Sequence, residues 1–403
     1  MRAVAVSVWI FMNLVLVGMC GYAYLLWSQY WQYVERQHAQ AAVTSASRGG
    51  LVYYYHGALS ATAPARYTRS QPRFPRPRHQ EGAVRPSLLA AHRSQLVVQL
   101  RRVLLEESSA FRNGGANPYG VRYVGPRSSH VGHSPRELVC ELLDTARPRV
   151  LSRTDQPFVR LGLAHLLPAQ PLLRERYNSC AIVTNAGSLH RSGLGEFIDA
   201  HDLVVRFNHA PTAGHERDVG RKTSLRVLNS QVVSRPQFDF LRSPLYRGVR
   251  LLAWDPANYT STLDQWYRSP DFDVFTPYFR HRALHPDANF HLLDPRSLWA
   301  LWDYIQAHIP VRVRKNPPSS GFLGLALTLP HCGHVDMMEY VPSLRLTRRC
   351  HYWDSAEDPA CTFGVWHPLA AEKLLALALN SAGDASVFSR GYLRILGRPG
   401  LRC

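Results

Sequence analysis

The chain reads as an α/β protein built on a largely parallel, doubly wound sheet. Three observations predict this. Five short runs rich in Val, Ile and Leu end in polar or glycine-containing loops: CAIV (180–183), DLVVRF (202–207), SLRVLN (224–229), VRLLAW (249–254) and VDMMEYV (335–341). Runs this short, bounded by turn signals, fit strands buried on both faces. Helix-compatible pieces lie between them, namely SGLGEFIDAH (192–201), SLWALWDYIQAHI (297–309) and SSGFLGLALTL (319–329). That alternation builds βαβ units. The composition agrees: 403 residues, 46% hydrophobic and 19% charged, exclude a disordered chain, a collagen and a small disulfide scaffold. No internal repeat is visible.

Taken in order, residues 1–2 read as a cytoplasmic tail and 3–27 (AVAVSVWIFMNLVLVGMCGYAYLLW) as a transmembrane signal-anchor. The run carries no charge and reaches the ~20 apolar residues that cross a bilayer core. It is longer than the ~7–15 apolar residues of an ordinary cleaved signal, which favours an uncleaved anchor; a long cleaved signal is the alternative, and either sends the body into the secretory pathway. Arg2 precedes it, so the positive-inside rule directs the remainder to the lumen. Residues 28–135 are rich in Ala, Ser, Thr, Pro and Arg and are expected to form a mostly flexible luminal stem. Within them, LLAAHRSQLVVQLRRVLLEE (88–107) has helical periodicity, and either opens the folded part or is a helix of the stem. The folded domain is expected over 136–403.

Seven cysteines agree with an oxidising compartment. Cys20 lies in the apolar run, leaving Cys140, Cys180, Cys332, Cys350, Cys361 and Cys403. Six cysteines suggest three disulfides and allow 15 pairings; Cys350 and Cys361 are the expected local pair. The absence of C-x-x-C argues against a zinc site. Asn258-Tyr259-Thr260 is an N-glycosylation sequon. The formal charge of +18 raises the question of an anionic partner. Lysine occurs only at Lys222, Lys315 and Lys373, so the excess is arginine spread along the chain. This argues against a nucleic-acid surface.

In open α/β sheets, ligands bind beyond the carboxyl ends of the strands. Asn185, Asn208 and Asn229 stand at or just past three successive ends. Their amides suit a nucleobase edge, a ribose hydroxyl or a phosphate. Neither G-x-G-x-x-G nor a P-loop pattern occurs, which disfavours dinucleotide and P-loop sites. Pro317-Pro318-Ser319-Ser320-Gly321 describes a helix start whose free N–H groups suit a phosphate. His367, before Pro368, stands at a loop-to-helix junction and is a candidate base.

These blocks, in this order, resemble the animal sialyltransferase family, glycosyltransferase family 29. CAIVTNAGSLHRSGLGEFIDAHDLVVRFNHAPTAGHERDVGRKTSLRVLNSQ is similar to its long sialyl motif, and NPPSSGFLGLALTLPHCGHVDMMEYVPS to its short one. The segment after Cys350 resembles the third motif and HPLAAEK the very short motif. RFNHAPT, LNSQ, AWDP, WYRSPDF and ACTFG resemble the beta-galactoside alpha-2,6 branch. The resemblance covers about 138–403. It implies a variant nucleotide-sugar (GT-A-like) fold in a Golgi type II membrane enzyme. Such an enzyme transfers sialic acid from CMP-sialic acid to the 6-hydroxyl of galactose on glycoprotein glycans, without a metal. Alternative linkages (alpha-2,3 to galactose, alpha-2,6 to N-acetylgalactosamine) and a non-catalytic glycan-binding role are kept beside it, and the resemblance leaves a homodimer open.

By position, the resemblance makes His367 the catalytic base. It places Asn185, Asn208, Asn229, Ser319, Ser320, Gly321, His351 and Thr362 at the donor. Trp366, Lys373, Asp271, Gln231 and Asp354 fall near donor or acceptor. The implied disulfides are Cys140–Cys403, Cys180–Cys332 and Cys350–Cys361. His351, Asp354 and Trp366 depart from the tyrosine, amide and tyrosine of the nearest relatives. An ionised Asp354 beside an anionic donor is unfavourable unless it faces acceptor or solvent.

Overall fold

A computed structural model describes residues 84–112, 116–173, 176–358, 360–401 and 403, all within one compact unit, Arg78–Cys403. The expected tail, anchor and first part of the stem lie outside the described residues. Among the described residues no helix is long and apolar enough to cross a membrane.

Among the described residues the sheet has seven strands: β1 (Tyr177–Val183), β2 (Leu203–Phe207), β3 (Leu225–Asn229), β4 (Arg250–Trp254), β5 (Phe290–Leu292), β6 (Cys332–Met338) and β7 (Tyr392–Leu396). Their spatial order is β5-β4-β3-β2-β1-β6-β7. All pairings are parallel except β6 with β7. The protein is therefore α/β with a mixed, mostly parallel sheet. The chain steps outward from β1 to β5 and returns to β6 on the other side of β1. That reversal makes the crevice beyond the β1 and β6 carboxyl ends the place for a ligand. Thr184 donates to the Met338 carbonyl across 2.8 Å and ties these two ends together.

The five expected strands all form, with ends shifted by a few residues. VDMMEYV stops at Met338 because Glu339 turns into the left-handed region (φ 49°). Its carboxylate then accepts from Ser343 and Arg345. β5 and β7 are additions. β5 is only three residues long, and β7 is an antiparallel edge strand following the last long helix.

The helices bury one face each. α1 (Pro86–Arg112) places Leu89, Leu96, Leu100 and Leu104 in the main core. These recur at steps of seven, four and four, one face of a 3.6-residue helix. Burying each contributes about 1.5–3 kcal/mol. At its far end the buried Glu107 carboxylate accepts from Arg314 at 2.9 Å. For residues 88–107 the sequence leaves two readings, a helix of the mostly flexible stem expected over 28–135 or the opening of the folded part. α1 and the segment carrying Tyr119 and Val121 belong to the same core as the sheet, which is the second of these. The apolar stripe outweighs the Ala/Ser composition around it. α2 (Pro135–Thr145) opens with a capping box between Ser134 and Glu137. α3 (Arg296–Ala307) buries Leu298, Trp299, Leu301, Trp302 and Ile305. α4 (Ser320–Thr328) is buried from Phe322 onward. Gly324 lets it lie on the sheet, because a Cβ there would stand 2.9 Å from the Phe207 ring. α5 (Leu369–Leu379) follows Pro368, which takes the N-cap position rather than the first turn.

Three disulfides join Cys140–Cys403, Cys180–Cys332 and Cys350–Cys361. The second links β1 to β6 at the switch point, across 152 residues of sequence.

Candidate active site

The β1 tip runs into Thr184-Asn185-Ala186-Gly187-Ser188. A second segment, Arg349–Asp354, lies against it. His351 bridges Ala186 in antiparallel fashion, and Tyr352 N–H donates to the Asn185 carbonyl at 3.2 Å. Gly187 is required there, since a Cβ would stand 2.4 Å from the Arg349 carbonyl oxygen. Asn185 Oδ1 is buried and accepts no hydrogen bond, which leaves an acceptor for a ligand donor.

Asn208 sits just beyond β2 in the left-handed region (φ 50°), where asparagine is tolerated. The buried Arg226 guanidinium holds that turn by donating to the carbonyls of Asn208 (2.8 Å) and Ala210 (3.0 Å). Asn208 Oδ1 accepts from the Asn229 N–H, and Asn229 Oδ1 caps the turn at Ser230–Ser234 through Val232 N–H. Both oxygens are thus occupied locally, leaving the amide N–H groups as what these two tips can offer. Gln231 is half-buried in that turn.

The α4 start is built around Glu372. Its carboxylate accepts from Ser319 N–H (2.7 Å), Ser319 O–H (2.5 Å) and Tyr340 O–H (2.6 Å). Ser319 Oγ in turn caps Phe322 N–H. The expected seat for a phosphate is therefore partly filled by a carboxylate, on the Ser319 side. Ser320 Oγ accepts from the Trp254 indole (3.0 Å), so its own O–H is left to donate. Lys373 lies over the Tyr340 ring and donates to the Tyr340 carbonyl. Burial lowers its pKa to about 8, against the pull of Glu372 and Glu339. Lys373 and Thr362 line a narrow cavity with Gly187, Ser188 and the Cys350–Cys361 disulfide.

His367 stands one residue before the α5 cap. Its Nδ1–H donates to the Pro317 carbonyl at 2.8 Å. The other nitrogen, Nε2, then carries the lone pair. Burial lowers the imidazole pKa below the ordinary histidine value, while Glu372 and the Pro317 carbonyl oppose the shift. Trp366 is 39% exposed, with its ring edge-on to His367 (4.5 Å) and to Tyr119 (6.5 Å). Tyr119 O–H donates to Asp271 (3.4 Å), and both line a cavity of about 500 Å³. Asp271 is set by Asp255, a fully buried carboxylate accepting from Asp271 N–H (2.9 Å), Phe272 N–H (3.1 Å) and the Trp266 indole (2.8 Å).

His351 Nδ1–H donates to Asp354 at 2.7 Å, and the imidazole stacks on Trp353 at 4.4 Å. Asp354 also accepts from Ala356 N–H. Its charge is thus turned onto a histidine and a backbone amide. Neighbouring His209 is pushed down to about 4 by burial, with His351 and Arg226 adding to the effect.

Sequence reading singled out neither Tyr119, Asp255, Tyr340, Glu372 nor His209 as a site residue. Asp255 (in AWDP), Tyr340 (in the short motif), Glu372 (in HPLAAEK) and His209 (in RFNHAPT) stand inside the quoted motifs. Tyr119 had no signal, since only tertiary contact joins it to Asp271. Among the described residues two further clusters bring three potential metal-ligand atoms within 4.8 Å. In one, Asp336 already holds Arg394 at 2.7 and 2.6 Å and His201 at 3.0 Å. In the other, the sulfurs of Cys350 and Cys361 are joined.

Residues 130–384 match the model of glycosyltransferase family 29 (sialyltransferase). The chain belongs to this sialyltransferase family. Beta-galactoside alpha-2,6-sialyltransferase 2 of Bos taurus is 46% identical over 291 residues, covering 72% of this chain and 58% of the relative. The Homo sapiens protein of the same name is 45% identical over 291 residues, covering 72% and 55%. That of Danio rerio is 44% identical over 290 residues, covering 71% and 56%. The match thus spans little more than half the length of these relatives. A crystal structure of a mammalian sialyltransferase aligns with 64% of this sialyltransferase-family chain and 90% of its own, at 19% identity and a TM-score of 0.39.

Proposed function

We propose that this chain transfers sialic acid from CMP-sialic acid to the 6-hydroxyl of a terminal galactose on glycoprotein glycans. We place it in the Golgi membrane as a single-pass type II protein, with residues 3–27 as anchor and the catalytic body in the lumen. Its fold would be the variant GT-A-like form. The observation that carries the reading is the His367 Nδ1–H bond to the Pro317 carbonyl at 2.8 Å. It leaves Nε2 as the acceptor of a ring that meets Trp366, whose own ring meets Tyr119 of the Tyr119–Asp271 pair.

The bond to be broken joins the sialyl C2 to a phosphate oxygen of CMP. In this scheme Asp271, with Tyr119 and Trp366, orients the galactose so that its O6 faces the sialyl centre opposite the phosphate. His367 Nε2 takes the O6 proton as the new C–O bond forms and CMP departs with the electron pair of the old one. One displacement inverts the centre. Ser320 O–H and the first-turn amides of α4 face the charge that grows on the phosphate. The buried Asn185 oxygen and the Asn208 and Asn229 amide groups supply acceptors and donors for the cytidine and ribose. Thr362 and Lys373 line the narrow cavity past the β1 tip, and the scheme keeps His351 at the donor and Gln231 near donor or acceptor. The scheme assigns no step to a metal ion.

The purified protein, given CMP-sialic acid and a panel of galactosides with product linkages determined, tests this. Alpha-2,6-sialylated galactose made equally well in EDTA supports it. Transfer abolished by EDTA and restored by manganese, or sialic acid linked elsewhere, overturns it.

A further inference from the structure

The sequon asparagine lies on the cavity assigned above to the acceptor. Asn258 lines it together with Tyr119, Gln265, Arg268 and Asp271. Its volume of about 500 Å³ falls in the range of small-ligand pockets, ~300–1,000 Å³. The turn carrying Asn258 is anchored on both sides. The Trp299 indole holds the Ala257 carbonyl at 2.9 Å, and Tyr259 N–H donates to the Tyr119 carbonyl at 2.9 Å. Ser261 N–H closes the turn onto the Asn258 carbonyl at 2.9 Å. Tyr259 faces inward, with its hydroxyl on Asp303 (2.8 Å) and its ring edge-on to Trp299 and Trp302. Asn258 and Thr260, on either side of it, are exposed.

From this we propose that Asn258 carries an N-glycan whose root is fixed at the mouth of the acceptor cavity, so that glycosylation restricts which acceptors enter. The inference rests on the luminal location and on the acceptor assignment of Asp271. In the modification, the Asn258 amide nitrogen bonds to C1 of the reducing-end sugar of a lipid-linked oligosaccharide. The pyrophosphate-lipid leaves with the bond's electron pair, and the amide gives up one proton. Because backbone contacts anchor both neighbours, the glycan cannot swing its root away. Its polar branches are chemically alike to the acceptor and occupy the same groove. A glycan covering the groove nine-tenths of the time raises the apparent acceptor KM about tenfold.

The test uses the full chain expressed in mammalian cells, where it passes through the secretory pathway, with Thr260→Ala removing the sequon and Thr260→Ser retaining it. Peptide mass analysis reports occupancy of Asn258, and kinetics use a galactose-terminated glycoprotein and free N-acetyllactosamine. The expected result is an occupied Asn258 in the parent and in Thr260→Ser. In Thr260→Ala the glycoprotein KM drops about tenfold, with a smaller change for the disaccharide and no change in the donor KM. An unoccupied Asn258, or equal acceptor KM values in all three proteins, overturns this inference and leaves the proposed transfer intact. Failure of every form to sialylate any galactoside overturns the transferase reading itself.

Discussion

His351 and Asp354 meet at 2.7 Å, Nδ1 to Oδ2. Two positions that the resemblance marks as departures from the family pattern are therefore one contact. Each makes physical sense only with the other: the carboxylate orients the ring on Trp353, and the ring faces a carboxylate that is only 9% exposed. His351→Tyr and Asp354→Gln are each expected to destabilise the protein, and the pair to be milder than the sum. A double-mutant cycle in denaturant should give a coupling of about 0.5–3 kcal/mol. Additivity of the two substitutions would show that the contact carries no coupling.

His367→Ala should lower kcat by about 10²–10⁴-fold, the share of a positioned general base. Calorimetric affinity for CMP should stay unchanged. The acid limb of kcat follows from the same group. Burial lowers the His367 pKa, so the neutral, proton-accepting form persists below the ordinary value of about 6.5. Activity should be lost as pH falls through a midpoint under that value. A midpoint above it would count against His367 as the base.

Asp255 sets Asp271 through two backbone amides. Asp255→Asn should raise the acceptor KM and leave the donor KM unaltered, measured by steady-state kinetics with each substrate varied. Burial raises this carboxyl from 3.8 to about 6, and its hydrogen bonds from Ser230, Trp266 and the two amides only partly offset that. The folded protein thus binds this proton more tightly than the unfolded chain. The group's contribution to stability is complete below the unfolded value and is lost as pH rises through about 6. The shift of about 2 units corresponds to roughly 3 kcal/mol. Asp255→Asn should flatten the stability profile between pH ~4 and ~6 by that amount, read from denaturation midpoints.

Glu372 accepts three hydrogen bonds from Ser319 and Tyr340 in a fully buried setting. In Glu372→Gln one oxygen becomes a donor, which leaves either the Ser319 N–H or the Ser319 and Tyr340 hydroxyls without that acceptor. Unfolding free energy should fall by about 1–3 kcal/mol. Because the same contacts set the α4 start, CMP affinity should fall with it, while Glu372→Asp recovers part of both.

Leu100 is fully buried on α1. Leu100→Ala should cost about 2–5 kcal/mol of unfolding free energy. An unchanged denaturation midpoint would return α1 to the status of a stem helix independent of the core.

Local pattern sufficed for much of the fold. The five Val, Ile and Leu runs fall on β1–β4 and β6, because a strand buried on both faces must be apolar throughout. Asn185, Asn208 and Asn229 could be read as strand tips for the same reason: each follows the last residue of an apolar run or closes it. The helix at 320–328 was legible from its serine cap and the uninterrupted apolar run behind it. Cysteine parity suggested three bridges but not which. Cys140 meets Cys403 across 263 residues, and no local rule reaches that far.

What the amino-acid sequence determined by itself was periodic and local: where strands and helices lie, which residues end them, and the family to which the motif order belongs. The tertiary structure alone decided the meetings. It brought Tyr119 to Asp271, Asp255 under the loop that carries Asp271, Glu372 beneath Ser319, and the sequon at Asn258 to the edge of the same cavity. The physical reason is that a hydrogen bond or ring contact between distant residues depends on how the helices pack on the sheet. Hydrophobic periodicity specifies which face of an element is buried and is silent about which polar group waits on the other side.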